Sequence, residues 1–414
     1  MVTDLSVHGV ATSRTMQNGA PYYTINYDDS SDDTTTVTSG NSGNLKLAIE
    51  YRHAEENLSN LPPHIRNLVP AIKEIERLVS HDALDIEFAI TKRDCIHILQ
   101  VRPLTMIATH ETEDWDGKID KEIESIKTKF NALNKPAPSL FGKRTILGTM
   151  PDWNPAEIIG TRPRQLSVSL YRFLVTDNIW SRQRKEYGYR DVTPYPLLYQ
   201  LGGHPYIDTR AMFNSFIPAA VPDDLADKLV NLYLNRLEQE PHLHDRVEFE
   251  IAITCLTFDF QSQVKPLEDI GISPHEIKVF RDALYNITDS ATKRRSKDRA
   301  LLSILNERYS NIMQSSAAPV DRALILLEDC KQFGTLPFAH MARTAFIAVA
   351  LLKSLESKGI TTIEQTTAFL EHVPTVATQL ETDAALVRTG ELTWETFVEQ
   401  YGHLRPGTYD VANL

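Results

Sequence analysis

Alternation of apolar and polar positions is strongest in two neighbouring stretches. Leu84-Asp85-Ile86-Glu87-Phe88-Ala89-Ile90 and Cys95-Ile96-His97-Ile98-Leu99-Gln100-Val101-Arg102 are apolar at most positions, with Thr91-Lys92-Arg93-Asp94 between them. That pattern predicts a β-hairpin. Pairing Ile90 with Cys95 sets a register, because side chains alternate between the two faces of a strand. Asp85 then lies opposite Gln100 and Glu87 opposite Ile98, with Arg102 one step beyond Gln100 on the same face. The other face, Leu84, Ile86, Phe88 and Ile90 with Cys95, His97, Leu99 and Val101, reads as core-facing.

Upstream, Tyr22–Tyr27 reads as a strand, with Asn18-Gly19 ahead of it as a type I′ turn signal. Leu61-Pro62-Pro63 introduces a helix whose Ile65, Leu68, Ile72, Ile75 and Leu78 recur at helical spacing. A second helical period runs from Glu111 to Leu133 and breaks at Lys135-Pro136-Ala137-Pro138-Ser139. Ser167–Tyr187 reads as one helix, and from Pro222 onward the chain is nearly all helix. Ser273-Pro274-His275-Glu276 and Thr361-Thr362-Ile363-Glu364 read as capping boxes. The most apolar run, Ala345–Leu352, is far short of the ~20 residues of a membrane span and reads as a buried helix. These elements divide the chain into a mixed α/β region at 1–107, a helical linker at 108–144 and a mostly helical domain at 145–414. The expected class is α+β.

Composition changes this picture little. The chain has 414 residues, 42% hydrophobic and 24% charged, within the range of an ordinary globular protein. A net charge of −12 argues against nonspecific nucleic-acid binding, which needs basic patches, and leaves nucleotide binding to local fields. Three cysteines, Cys95, Cys255 and Cys330, have no metal-ligand spacing. Cys255 and Cys330 lie in apolar helical patterns and read as small buried hydrophobes. No signal peptide opens Met1–Ser6. Together these features point to a cytoplasmic protein with no membrane partner.

The polar face of the hairpin is where chemistry is expected. Mg²⁺ takes hard oxygen ligands, usually one or two carboxylates with phosphate and water. A carboxamide oxygen adds a neutral ligand, and a guanidinium can grip a terminal phosphate. The plain alternative is a half-exposed hairpin whose polar face is simply wet. A second concentration of charge lies at Arg162, Arg164, Arg172, Arg182, Arg184, Lys185 and Arg190, and reads either as an anion site or as a basic face paired with the protein's own acids.

Asp-Ile-Glu-Phe followed by Leu-Gln-Val-Arg-Pro resembles the end of the ATP-grasp nucleotide-binding domain in the phosphoenolpyruvate synthase and pyruvate phosphate dikinase family, whose architecture rifampicin phosphotransferases share. The resemblance implies an ATP-grasp-type mixed sheet, with ATP and Mg²⁺ as cofactors. By position, Glu87 and Gln100 would bind the Mg²⁺ of Mg-ATP, and Arg102 would contact phosphate as the catalytic group. Asp85 joins this nucleotide-binding set. His8-Gly9-Val10-Ala11-Thr12-Ser13-Arg14 resembles the family's Gly-Val-Leu-Phe-Thr-Arg strand. Arg14 then either faces the phosphates or pairs with a surface acid.

The sequence departs from that family in two places. The Gly-Leu-Gly-Glu stretch of dikinases is replaced by the acidic Tyr27–Asp33, and only Val37-Thr38-Ser39-Gly40 is similar to the next motif. The glycine-rich N-terminal lobe and the Gly-Gly-x-Thr-Ser-His phosphohistidine have no clear counterpart. Thr109-His110 and Gly202-Gly203-His204 do not match it. The chain therefore reads as part of a larger phosphotransferase, with the missing lobe and phosphohistidine domain on the same or a separate polypeptide.

Asp152-Trp153-Asn154-Pro155-Ala156-Glu157 resembles the start of the family's central domain, and Tyr401-Gly402-His403-Leu404-Arg405 its Tyr-Gly-His-Arg-Gly-Pro segment. By that analogy Trp153, Asn154, Glu157, Arg162, Arg164, Asn214, His403 and Arg405 are candidate contacts to a small-molecule phosphoryl acceptor. His403 and Arg405 have a structural role at a domain junction as their alternative. The expected function is passage of a phosphoryl group from Mg-ATP, by way of a histidine outside this chain, to that acceptor. The rival from another class is a degenerate ATP-grasp module that binds or regulates without turnover.

Overall fold

The computed structural model describes residues 4–16, 18–29, 46–54, 61–104, 115–373 and 375–402. The chain is mixed α/β, with antiparallel sheets followed by helices. It divides into two compact units, Met1–Ser125 and Ile126–Leu414.

Among the described residues the first unit is built on five strands: β1 Leu5–Thr12, β2 Tyr22–Asp28, β3 Lys46–Tyr51, β4 Leu84–Thr91 and β5 Ile96–Pro103. Their order is β3-β2-β1-β4-β5 and every neighbouring pair is antiparallel, so the expected mixed sheet is instead antiparallel throughout. One face carries Val7, Ala11, Tyr23, Ile25, Tyr27, Ala48, Leu84, Ile86, Phe88 and Ile90. These form one apolar core with Ile65, Leu68, Val69 and Ile72. The last three belong to helix α1, Leu68–Val79, whose apolar stripe covers that face. Leu78, in the last turn, falls outside the stripe's contact and is 77% exposed. Gly9 lies opposite both Tyr27 and Phe88. A Cβ there would fall 2.2 Å from the Asn26 carbonyl oxygen and 3.0 Å from the Phe88 ring, so only glycine fits.

The hairpin forms with a different register from the expected one. Ile90 pairs with Ile96 rather than Cys95, and a bulge at Leu99 inserts one residue into β5. The bulge reverses the faces of everything beyond it, so Ile98 shares a face with Phe88, while Gln100 and Arg102 share one with Glu87 and Asp85. The expected core face of the second strand is also corrected. Cys95, Leu99 and Val101 are exposed and His97 half-buried, because β5 is an edge strand. Asn18-Gly19 does not form a two-residue hairpin turn. β1 and β2 are joined by nine residues, with Gly19 left-handed at φ 66°. Strand β3 carries no alternation strong enough to have been read in advance.

Helix α2, Trp115–Leu133, runs from the first unit into the second. The second unit has a small antiparallel sheet of β6 Leu147–Gly148, β7 Leu198–Leu201 and β8 His204–Asp208 in the order β6-β8-β7. Around it lie α3 Pro155–Ile158, α4 Gln165–Tyr171, α5 Ile179–Tyr187, α6 Thr209–Ser215 and α7 Asp223–Gln239. Their apolar faces meet in one large core that includes Trp180, Phe213, Phe216 and Tyr233. The expected single helix Ser167–Tyr187 is broken. A π-helical segment at Arg172–Thr176 and the non-helical Asn178 separate α4 from α5.

The remaining helices are α8 Val264–Asp269, α9 Pro274–Gln314, α10 Pro319–Asp329, α11 Leu336–Ser357, α12 Ile363–Glu371, α13 Val376–Thr389 and α14 Trp394–Tyr401. The capping box at Ser273 and Glu276 forms. The second one closes one residue later than expected, between Thr362 and Gln365. In Ala345–Leu352 only Ile347 is buried, which corrects the expectation of a buried helix. That run lies in Pro319–Ser357, which holds one window long and apolar enough, by length and composition alone, to cross a membrane; 33% of the window is buried. Cys255 is buried, but Cys330 is exposed, in the π-helical link between α10 and α11.

Candidate functional site

The bulge at Leu99 assembles the first candidate site. Across the sheet's second face the register aligns two rows: Leu47-Asn26-Val10-Glu87-Gln100 and Ile49-Thr24-Thr12-Asp85-Arg102. Leu47, Ile49, Asn26, Gln100 and Arg102 are exposed, so much of this face is open. Glu87 and Gln100 are direct cross-strand partners, as are Asp85 and Arg102. The carboxylate and carboxamide side chains therefore leave the same face of the sheet as cross-strand neighbours.

Arg102 is 52% exposed on its side chain and donates from Nε to Asp85 Oδ2 at 2.8 Å. Its Nη2 lies 3.6 Å from Glu87 Oε1. The Asp85 hydrogen bond raises the guanidinium's pKa. The other carboxylate oxygen of Asp85, Oδ1, is buried and has no hydrogen-bond partner among the described residues. An orphaned carboxylate oxygen beside a half-buried acid and an exposed amide is a donor set that suits Mg²⁺. Among the described residues no cluster of three or more His, Cys, Asp or Glu could hold a metal.

Arg14 is held by carboxylates. Its Nη2 donates to Asp82 at 2.6 Å, its Nη1 to Asp116 in α2 at 2.9 Å, and Nη1 also reaches the Gly19 carbonyl at 3.0 Å. The hydrogen bond from Arg14 lowers the Asp116 pKa. Burial would raise Asp82, but Arg14 outweighs it and the net direction is down.

In the second unit, Trp153, Asn154 and Glu157 line one cavity of about 210 Å³ together with Asp152, Ile158, Gln183, Arg184, Phe338, Ala339, Ala342, Arg343 and Phe346. Asp152 and Asn154 are both left-handed, at φ 56° and 41°. Asp and Asn are among the residues that tolerate this conformation best. Arg184, from α5, and Arg343, from α11, are each 2% exposed on their side chains. Both guanidinium groups stack on the Phe216 ring, 4.1 and 4.8 Å from its centroid. Arg184 Nη2 donates to Asp152 Oδ1 at 2.6 Å. Arg343 has its nearest carboxylate, Glu248, at 3.9 Å. Burial and the repulsion of Arg343 bring the Arg184 pKa down to about 10, and burial pushes Glu248 up.

The other expected acceptor residues are elsewhere. Arg162 and Arg164 are exposed and do not line the cavity. Asn214 is fully buried, with its amide committed to backbone. Oδ1 accepts from the Phe141 N–H at 2.9 Å, and Nδ2 donates to the carbonyls of Phe141 and Arg210 at 2.8 Å. It fastens the loop ahead of β6 to α6. His403 and Arg405 lie outside the described residues, as do Thr109-His110 and Val37–Gly40. The basic run is largely neutralised by the protein's own acids. Arg172 pairs with Asp177, Arg182 with Glu186, Lys185 with Asp191 and Arg190 with Asp223.

Arg343 lies outside every motif and charge cluster of the sequence. Its signal is a single arginine inside the most apolar helix of the chain, where a charge needs a reason to be buried. No family model matches this chain, and neither a curated protein nor a solved structure matches it.

Proposed function

We propose that the first unit is the nucleotide-contacting end of an ATP-dependent phosphotransferase of the dikinase type, acting with a phosphohistidine outside this chain. The single observation that supports the reading is the alignment of Glu87 with Gln100 and of Asp85 with Arg102 on an open sheet face. Glu87 and Gln100 are the residues that would hold Mg²⁺. Mg²⁺ held there would supply positive charge that offsets the charge of the phosphates. Arg102 supplies a forked donor to the phosphates, and Asp85 holds that fork over the ribbon. Trp153, Asn154 and Glu157 remain the acceptor contacts that the resemblance implies, in a cytoplasmic setting.

One observation favours the rival, a binding or regulatory module without turnover. Both candidate phosphate-binding arginines, Arg14 and Arg102, already have carboxylate partners. A nucleotide must compete with Asp85 for Arg102, and two carboxylates repel phosphate where no cation intervenes.

Titration calorimetry of the chain with ATP, in Mg²⁺ and in EDTA, tests the reading. Saturable binding that requires Mg²⁺ is expected, and Arg102→Ala should weaken it about 10- to 100-fold, the range for one charge-assisted contact. Binding indifferent to EDTA and to Arg102→Ala would rule the ribbon out.

A further inference from the structure

We propose that the cavity between Asp152–Ile158, α5 and α11 binds a small ligand with one acidic group, a carboxylate or a phosphate, on an apolar body. Arg184 and Arg343 are its anchors. This does not rest on the nucleotide reading, since every residue involved belongs to the second unit.

Nε and Nη1 of both arginines are buried without a hydrogen-bond partner among the described residues, as are Asp152 Oδ2 and Gln183 Oε1. Buried polar groups are satisfied in most proteins, and a group that is not calls for a water, an ion or a function. Ordered water can accept from guanidinium groups but cannot balance their charge. Asp152 bonds Arg184, while Glu248, the carboxylate beside Arg343, is beyond hydrogen-bonding distance and biased by burial toward its neutral acid. The two guanidinium groups therefore share one carboxylate in hydrogen-bonding contact, and donors of both are left over.

The cavity's walls define the rest of the ligand. Trp153 and Phe338 lie 6.3 Å apart by ring centroid, and Ile158, Phe338 and Phe346 present exposed apolar surface beside the cavity. Glu157 accepts from Asn154 Nδ2 at 3.1 Å and keeps a negative charge on the lining. A second acidic group next to Glu157 would be repelled, so the acidic group belongs at the arginine end and the apolar body against the rings. At about 210 Å³ the cavity is below the usual 300–1,000 Å³ of drug-sized sites. The larger cavity nearby, about 450 Å³, lacks such anchors. There Arg236 donates to the carbonyls of Ile251 and Glu250, and Lys353 stacks on Phe249.

The test is calorimetry of the full chain with benzoate, phenyl phosphate and neutral benzamide. We expect one of the two anions to bind saturably and benzamide not to bind. The better anion identifies the acidic group as carboxylate or phosphate. Arg343→Lys, which keeps the charge and loses the fork, should weaken binding about tenfold. Ala342→Phe fills the cavity without touching a charge and should abolish binding with the circular dichroism spectrum unchanged. Three results would each overturn the proposal: benzamide binding as well as the anions, anion binding that survives Ala342→Phe, or no heat from either anion at about 10 mM, where even a millimolar site would be mostly filled.

Discussion

The two units each set an arginine beside an aspartate, and the outcomes are opposite. On the β4–β5 ribbon, Arg102 is half in water and shares its charge between Asp85 and Glu87. In the second unit, Arg184 and Arg343 are sealed from solvent, with one carboxylate in hydrogen-bonding contact between them. An exposed pair in high dielectric is held weakly and can exchange partners. A buried pair is costly to break, because the abandoned partner keeps its charge in a poorly solvating interior. That difference is what the two proposals rest on, a ligand arriving with its own cation at the ribbon and one arriving as an anion at the cavity.

The largest effect that would expose this difference is on stability. Arg184→Ala leaves Asp152 buried without its cation and should cost about 3–5 kcal/mol by urea unfolding. Arg102→Ala should fall within about 0.5 kcal/mol of wild type. Equal costs for the two substitutions would break the comparison.

Next in size is a pH effect that sharpens it. His340, one turn before Arg343 on α11, is fully buried and bonded to Asp298 at 3.1 Å. Glu186, Tyr187 and Arg294 also face it. Burial, with the repulsion of Arg294, brings its pKa down to about 4 from 6.5. Between those values the unfolded chain binds more protons, so this group's contribution is complete above pH 6.5 and is lost as pH falls toward 4. Glu248, pushed up by burial, slopes the other way above its ordinary value of 4.5. The measurement is therefore a difference: wild type should lose up to about 3 kcal/mol more than His340→Gln on going from pH 7 to pH 4.5. Parallel profiles would show that His340 titrates as an ordinary histidine.

A smaller effect concerns the ribbon alone. Asp85→Asn keeps the side chain's shape but removes the charge holding Arg102. We expect stability to change by less than about 1 kcal/mol, as for other exposed pairs, and Mg-ATP affinity to fall a few-fold. A gain in affinity would mean that Asp85 competes with the nucleotide rather than positioning Arg102.

How much of this was legible in the sequence differs between the two sites for a physical reason. Strand pairing is local, so alternation in Leu84–Ile90 and Cys95–Arg102 was enough to place the acids, amide and guanidinium together. The register was not legible, because a bulge such as that at Leu99 depends on how an edge strand twists, not on composition. The core of α1 was visible in Leu68 and Ile72, while Leu78 kept the period without meeting the sheet. The cavity brings Asp152, Arg184 and Arg343 together over more than 150 residues, and no periodic pattern encodes such a meeting. Part of it could be read: Trp153, Asn154 and Glu157 line it, and Arg184 belonged to the basic run. Asn214 was misplaced because a buried amide serving backbone looks, in sequence, like a polar ligand contact.

The central claim is that Glu87 and Gln100 hold one ion together. A double-mutant cycle on Mg-ATP affinity tests it, with Glu87→Gln, Gln100→Ala and both substitutions measured by calorimetry in Mg²⁺ and in EDTA. The account predicts that each single substitution weakens Mg²⁺-dependent binding about tenfold or more and that the double is little worse than either, since coupled ligands of one ion are not additive. Independent, additive losses, or binding unchanged by both, would contradict it.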